Sequence, residues 1–298
     1  MQRYKKLLVV VNLDDEDVSL IQYASRITRM AGSEEVHFFH ISPELDLPEP
    51  LCSAIEGDQS CQSIVERMKA IVQQYFTTQD NTRLGYDASD RDQLRDLLLT
   101  IKQKDVDLVV VDKKCGGARM SERVARKAPC SVALVPSGSP ARFDNIFVAL
   151  DFSPYSREAL ETALAFARAG AANRLTCVHV YTVPSGYNKT GRSYEQFASI
   201  MKQNAQQQFD ELLPAMNTEG IEIEFISQAS TQPFQGIAEI VHTNGADLLV
   251  VGSRGRSKTA AILLGSVTER LIEICNVPIL TVKRKGQGLS FMEAILDL

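Results

Sequence analysis

Residues 248–268 read LLVVGSRGRSKTAAILLGSVT. The unbroken apolar run 248–251 is followed at once by Gly252 and a basic loop, and a segment of helical period begins near residue 265. Continuous leucine and valine runs are typical of strands buried on both faces, as in a parallel sheet covered by helices. Ligands of such sheets bind beyond the carboxyl ends of the strands, so the loop after residue 251 is the expected binding position.

Most of the chain is an internal repeat, which is visible when its two halves are aligned. Segments that recur in the same order are 6–12 with 145–151, 36–41 with 175–180, 107–111 with 247–251, 121–124 with 268–271 and 132–135 with 279–282. Between the copies, PSGSP at 136–140 has the composition of a linker. We therefore predict a first domain at 1–136, a linker at 137–143, a second domain at 144–285 and a C-terminal tail at 286–298.

Within each copy, short apolar runs alternate with longer stretches of helical period. In the second copy Ser153 suits a helix N-cap, and Gly245 suits a helix end. The alternation predicts an α/β fold, namely two tandem five-stranded doubly wound domains with parallel sheets and the element order β-α-β-α-β-α-β-α-β.

The composition excludes several classes of protein. A net charge of -5 argues against a nucleic-acid binder, and no run approaches the ~20 apolar residues of a membrane span. The apolar run after residue 6 is too short for a signal peptide, so we expect a cytoplasmic protein. Among the six cysteines, Cys130, Cys177 and Cys275 are predicted to be core thiols, and Cys52 and Cys61 are expected to be reduced.

The loop after residue 251 combines the groups that a polyphosphate needs. Gly252 and Gly255 would let backbone approach a phosphate without a Cβ in the way, and Gly265-Ser266 begins a helix whose free N–H groups face the same space. The hydroxyl and cationic side chains available are Ser266, Thr268, Arg254, Arg256 and Lys258. An isolated Gly-x-x-Gly is usually an ordinary turn, but its position between a buried strand and a helix favours ligand binding here.

Gly252-x-x-Gly255, nine residues and then Gly265-Ser266 resembles the ATP-binding signature of the universal stress protein superfamily. Further matches are DFS at 151–153, HV at 179–180 and VPIL at 277–280. The resemblance covers essentially the whole chain as two such domains. It implies a flavodoxin-like or adenine-nucleotide alpha-hydrolase-like fold that binds ATP, with Mg²⁺ brought by the nucleotide.

The resemblance also implies roles for individual residues of the second copy. Asp151 and the backbone of Ala149 and Leu150 would contact the ribose and adenine, and Val180 would hold the adenine through its backbone. The residues implied to hold the phosphates are Gly252, Arg254, Gly255, Gly265, Ser266, Val267 and Thr268. No catalytic residue and no metal ligand of the protein itself is predicted.

The first copy departs from this pattern. Asp112 and Cys115 stand where the second copy has its loop glycines, Ala118-Arg119 replaces the glycine–serine pair, and Asn12 replaces the first-strand aspartate. A carboxylate at 112 would repel a triphosphate. We therefore expect the first domain to bind no ATP and to pair with the second as an intramolecular pseudo-dimer, since the superfamily commonly dimerises through its last strand.

Two side chains of the second copy also have a structural interpretation. Asp151, at a strand end, can cap Ser153 and its neighbours instead of contacting a ribose. His179 is better explained as an oriented strand residue than as a catalyst, because His40 recurs at the same place in the copy expected not to bind ATP.

Three functions stay open at this point. We favour an ATP-binding regulatory protein of the stress response, in which nucleotide orders the loop 253–264 and alters a surface for a second copy or a regulatory protein partner. A slow ATPase or other nucleotide-using enzyme is disfavoured, because no Walker GxxxxGK[ST] motif and no obvious general base is present. A binder of a non-nucleotide small molecule or lipid, with a vestigial loop, is the third. Segments 48–79, 185–220 and 286–298 give no functional signal.

Overall fold

The computed structural model describes residues 3–41, 61–78, 81–89, 93–115, 119–255 and 264–285. The chain divides into two compact units. Residues 142–283 form the second unit, and the described residues on either side of that range belong to the first. The first unit thus includes Lys285, whose ammonium group lies 2.7 Å from a carboxylate oxygen of Asp105 and 2.8 Å from one of Asp107. These limits differ by two residues at each end from the domain expected at 144–285.

The first unit is a five-stranded parallel sheet with intervening helices. Its elements are β1 (Lys6–Val11), α1 (Asp17–Ala31), β2 (Glu35–Ile41), α2 (Cys61–Tyr75), β3 (Arg83–Ser89), α3 (Gln93–Gln103), β4 (Leu108–Asp112), α4 (Met120–Lys127) and β5 (Ser131–Val135). The strand order is β3-β2-β1-β4-β5, and all neighbours are parallel. The strands β4 and β5 are buried along their whole length, as their uninterrupted apolar composition predicts.

The second unit repeats this arrangement. Its elements are β6 (Ile146–Ala149), α5 (Pro154–Gly170), β7 (Arg174–Tyr181), α6 (Tyr194–Leu212), β8 (Glu222–Ala229), α7 (Pro233–Thr243), β9 (Leu248–Gly252), α8 (Ser266–Ile274) and β10 (Ile279–Val282). The order β8-β7-β6-β9-β10 is that of the first unit, again with parallel neighbours. Strands β7 and β8 follow β6 on one side of the sheet, whereas β9 and β10 lie on its other side, so the strand order reverses between β6 and β9. The expected ligand crevice therefore lies at the carboxyl ends of these two strands.

The predicted tandem of doubly wound α/β domains is therefore confirmed. Of the two fold types that the resemblance implied, the observed order 3-2-1-4-5 differs from the flavodoxin order 2-1-3-4-5. The intramolecular pseudo-dimer stays a prediction. None of the helices in the described ranges has the length and hydropathy to cross a membrane.

The repeat extends to the way in which the first helix of each unit ends. Gly32 after α1 has φ 60°, and Ala171 after α5 has φ 59°, so both C-caps are left-handed. The N–H of Gly32 donates to the carbonyl of Thr28, and that of Ala171 donates to the carbonyl of Ala167. Such caps satisfy helix-end carbonyls. The sequence alignment of the two halves thus holds at the level of single hydrogen bonds.

The cysteine prediction is confirmed where the structure describes it. Cys130, Cys177 and Cys275 are buried, and none of the three forms a disulfide. Cys52 and the side chain of Cys61 lie outside the described residues, as does the tail 286–298.

Candidate functional site

A cavity of about 430 Å³ opens at the carboxyl ends of the central strands of the second unit. Every residue that the sequence analysis assigned to ligand binding lines it: Ala149, Leu150, Asp151, Val180, Gly252, Arg254, Gly255, Gly265, Ser266, Val267 and Thr268. They come from β6, β7, β9, α8 and the turns between them. The fold therefore brings these residues together at the predicted edge of the sheet.

The turn between β6 and α5 forms one wall. Ser153 is the N-cap of α5, as predicted, and its hydroxyl accepts a hydrogen bond from the N–H of Ser156 at 3.3 Å. Asp151 accepts from the N–H of Ser153 at 3.0 Å through Oδ1. Its Oδ2 faces the loop after β9, because a Cβ built on Gly255 would lie 2.7 Å from that oxygen. The structural role of Asp151 is thus confirmed for one oxygen, while the other lies beside the candidate phosphate loop.

The three motif glycines differ in what surrounds them. A Cβ on Gly252 would lie 3.0 Å from both the backbone carbon and the carbonyl oxygen of Tyr155. Gly252 therefore allows β9 to pack closely against α5, and its predicted contact with a phosphate stays a prediction. A Cβ on Gly265 would meet nothing closer than 3.6 Å, and the φ of −76° suits any residue.

The loop returns to the cavity at Gly265. The N–H of Gly265 donates to the carbonyl of Ser253 at 2.7 Å, which closes the loop, and α8 begins at Ser266. The first N–H groups of a helix have no partner within it, so this end of α8 offers donors and a positive partial charge to the cavity. Residues 256–263, with Arg256 and Lys258, lie outside the described residues.

The Thr268 hydroxyl has a partner within the fold, and its predicted contact with a phosphate stays a prediction. Thr268 is buried, and its hydroxyl donates to the carbonyl of Gly252 at 2.9 Å, so this proton is already used within the fold. In the first unit Ser121, which aligns with Thr268, makes a similar bond, with its hydroxyl 2.6 Å from the carbonyl of Lys113, one residue beyond the position that matches Gly252. A bond that recurs in the copy without the glycine motif holds the helix to the strand end. It is not specific to a ligand.

Arg254 contributes a positively charged side chain to the cavity wall. Its guanidinium lies over the ring of Tyr155, with Cζ 5.9 Å from the ring centroid. Cation–π contact of this kind restrains a long side chain. The sequence analysis did not identify Tyr155; its aromatic character three residues after a strand-end DF pair was the available signal.

His179 has the structural role expected of it. Its Nδ1 lies 2.7 Å from the carbonyl oxygen of Leu150, and the ring of Phe152 packs on it at 4.8 Å between centroids. His40 repeats the contact in the first unit, with Nδ1 2.9 Å from the carbonyl oxygen of Val11. Burial lowers the pKa of His40, which favours a neutral ring there. The imidazole therefore fixes the end of the first strand in both copies.

One end of the cavity is apolar. Its wall includes Val180, Met201, Pro233 and Ile237. The Tyr181 hydroxyl donates to the carbonyl of Ala198 at 3.1 Å, which ties the end of β7 to α6, the helix that contributes Met201. Sequence reasoning missed Met201 and Pro233, because neither lies near a recognisable motif. Only the fold brings them to the strand ends.

Known proteins resemble this chain in the sequence of the second unit and in the fold of both units. The model of the universal stress protein family matches residues 142–283, the whole of the second unit. The second unit belongs to the universal stress protein family. A universal stress protein of Methanocaldococcus jannaschii is 27% identical over 159 residues, which cover 48% of this chain and 97% of that protein.

Solved structures extend the fold match to nearly the whole chain. A universal stress protein from Archaeoglobus fulgidus has a TM-score of 0.58 at 18% identity, covering 94% of this chain and 96% of that one. A functionally unknown protein from Pseudomonas aeruginosa has a TM-score of 0.66 at 14% identity, covering 99% and 98%. At these identities the likeness shows the tandem fold alone.

In the first unit, side chains stand where the second unit has its loop glycines. Asp112 accepts from the N–H of Lys114 at 2.6 Å and from the Ser137 hydroxyl at 2.9 Å, and burial raises its pKa. Cys115 is fully buried, and burial together with the carboxylates of Asp112 and Asp17 raises the pKa of its thiol to about 12. Gly116, Gly117 and Ala118 lie outside the described residues.

Proposed function

We propose that the second unit binds an adenine nucleotide, ATP with Mg²⁺, and that the protein is an ATP-binding regulator of the stress response. The supporting observation is the single cavity that all the implied ligand residues line. Its volume of about 430 Å³ lies within the range of small-molecule sites.

The two ends of the cavity differ in chemistry in the way that a nucleotide requires. The wall of Val180, Met201, Pro233 and Ile237 offers an apolar surface for a flat base. Because these side chains have no hydrogen-bonding groups, the polar edge of the base would be bound by backbone groups at the end of β7. This is the role that the resemblance gives to Val180.

The other end supplies donors and a cation. The first turn of α8, with the exposed Ser266 and Val267, would face the phosphates, since helix N-termini favour anions. Arg254 would add its charge from a restrained position over Tyr155. The Oδ2 of Asp151 would accept from a ribose hydroxyl, and Mg²⁺ would arrive with the triphosphate and offset part of its charge.

A regulatory output follows from where the nucleotide would bind. Residues 253–264 connect β9 to α8, and the ends of both elements line the cavity. Nucleotide would order this loop and alter a surface for a second copy or a regulatory protein partner. The cytoplasmic location and these partners remain part of the proposal.

Calorimetric titration with Mg-ATP tests the site. Native mass spectrometry is used first to find out whether the purified protein carries a resident nucleotide, which is removed before the titration. We expect one site per chain, and at least tenfold weaker binding in Gly255→Asp, because the new carboxylate would lie next to Asp151. Asn217→Asp is the control: it adds the same charge at an exposed residue that does not line the cavity, and an oxygen remains to accept from Glu219. Absence of binding to the nucleotide-free protein, or equal binding in Gly255→Asp, would refute the proposal.

A second measurement separates a regulator from an enzyme. A regulator should retain bound ATP for many minutes in the presence of Mg²⁺. Rapid turnover that is abolished in Ser266→Ala would instead establish the ATPase alternative.

A further inference from the structure

The turn after the first strand has a left-handed residue at the same position in both units. Leu13 has φ 64° and Phe152 has φ 62°, and the two residues are equivalent in the repeat. A left-handed residue in a turn directs successive N–H groups toward one point, which forms a small concavity for an oxygen acceptor. Each unit therefore has the amide of a left-handed residue beside its central strand.

The first unit fills this concavity with its own carboxylate. One oxygen of Asp17 accepts from the N–H of Asn12 at 3.0 Å, and the other accepts from the N–H of Leu13 at 2.6 Å. Asp17 is 1% exposed. Buried carboxylates are costly unless hydrogen-bonded, so these two amides explain why an aspartate is accommodated here.

The second unit has Ser156 at the equivalent position. Ser156 is buried at the edge of the cavity, and its hydroxyl donates to the carbonyl of Ser153 at 3.0 Å, so it does not turn toward the amides. Among the described residues, the N–H of Phe152 donates to no acceptor. The donor that Asp17 occupies in the first unit is therefore available in the second.

We propose that the residue at this position decides which unit accepts the nucleotide. Ser156 leaves the Phe152 amide to an oxygen of the ligand, whereas the Asp17 carboxylate occupies the equivalent amides of the first unit as a built-in acceptor. The inference rests on the proposed nucleotide site of the second unit. It identifies a determinant outside the glycine loop, in a residue that no motif marks.

The experiment transfers the carboxylate between units. In Ser156→Asp we expect at least tenfold weaker Mg-ATP binding, whereas Ser156→Ala should bind within threefold of the wild type. Thr182→Asp is the matched charge control, because Thr182 also lines the cavity but lies after β7, outside the β6–α5 turn. With selective ¹⁵N labelling of the twelve phenylalanines, the Phe152 amide resonance should move to low field in Ser156→Asp and stay in place in Thr182→Asp.

The two readouts separate a failure of this inference from a failure of the proposed nucleotide binding. If nucleotide-free wild type binds no Mg-ATP, the proposed function fails, but the Phe152 resonance still tests whether an aspartate at 156 captures the amide. An unmoved resonance, or Ser156→Asp binding within threefold of a wild type that does bind, would overturn the inference. Should Ser156→Asp not fold, Asp17→Ser replaces it: the Leu13 amide must then exchange faster with solvent, and unchanged exchange refutes the proposal.

Discussion

Replacing Gly252 by alanine should destabilise the protein, whereas the same change at Gly265 should not. The Cβ of Gly252→Ala would lie 3.0 Å from the backbone carbon and oxygen of Tyr155 and 3.1 Å from the carbonyl oxygen of Arg254. Favourable contacts of carbon lie at about 3.5–4.0 Å, so the backbone of α5 or of the loop must move by about half an ångström. Overpacking of this kind costs about 1–3 kcal/mol.

Gly265→Ala provides the comparison within the same motif. The nearest atom to its Cβ would be 3.6 Å away, and the extended backbone suits alanine. Alanine is a poorer N-cap than glycine, but it also lowers the entropy of the unfolded chain, and the two effects are similar in size. We expect a change of less than about 0.5 kcal/mol in the free energy of unfolding.

Urea unfolding followed by far-UV circular dichroism measures both variants, since the chain has no tryptophan for fluorescence. Two units can unfold in separate transitions, so each transition is fitted by itself. The reasoning would be refuted if Gly252→Ala unfolded at the wild-type urea concentration. It would equally be refuted if Gly265→Ala were as destabilised as Gly252→Ala, because the two glycines would then share one role.

Three further predictions follow from individual contacts. Burial raises the pKa of Asp17 from 3.8 to about 6, so stability that is present below pH 3.8 is lost as the pH rises through 6. Relative to Asp17→Asn, the wild type should lose about 2 kcal/mol between pH 4 and pH 7 in urea titrations, and a constant difference would contradict this. Tyr155→Leu removes the ring beneath the Arg254 guanidinium and should weaken Mg-ATP binding two- to tenfold by calorimetry, without a change in the unfolding midpoint. Thr268→Val leaves the buried Gly252 carbonyl without its donor and should lower the free energy of unfolding by about 1–3 kcal/mol, whereas Thr268→Ser should leave it unchanged. If Thr268→Val kept full stability but lost ATP affinity, the hydroxyl would instead act on the ligand.

Sequence patterns predicted the sheet and the place of the site because both depend on local signals. Uninterrupted apolar runs such as 248–251 identify buried parallel strands, and parallel strands bring their carboxyl ends to one edge. Contacts from distant segments were not predictable in this way. Met201 reaches the cavity through the packing of α6, and the packing between Gly252 and Tyr155 depends on how closely α5 approaches β9. Neither contact has a sequence period or a motif.

The duplication separates structural features from candidate ligand contacts. The histidine contact to the first-strand carbonyl, the hydroxyl bond to the fourth-strand end and the left-handed turn residue occur in both units, so the fold alone accounts for them. Features that occur in the second unit and not in the first are assigned either to packing or to a ligand according to their contacts. Gly252 faces the backbone of Tyr155, and in the first unit both positions differ, with Asp112 and Glu16, so this pair is explained by packing. Ser156 lies at the edge of the cavity, and its hydroxyl bonds to the carbonyl of Ser153 and not to the Phe152 amide. Its difference from Asp17 is therefore the substitution for which a ligand is the better explanation.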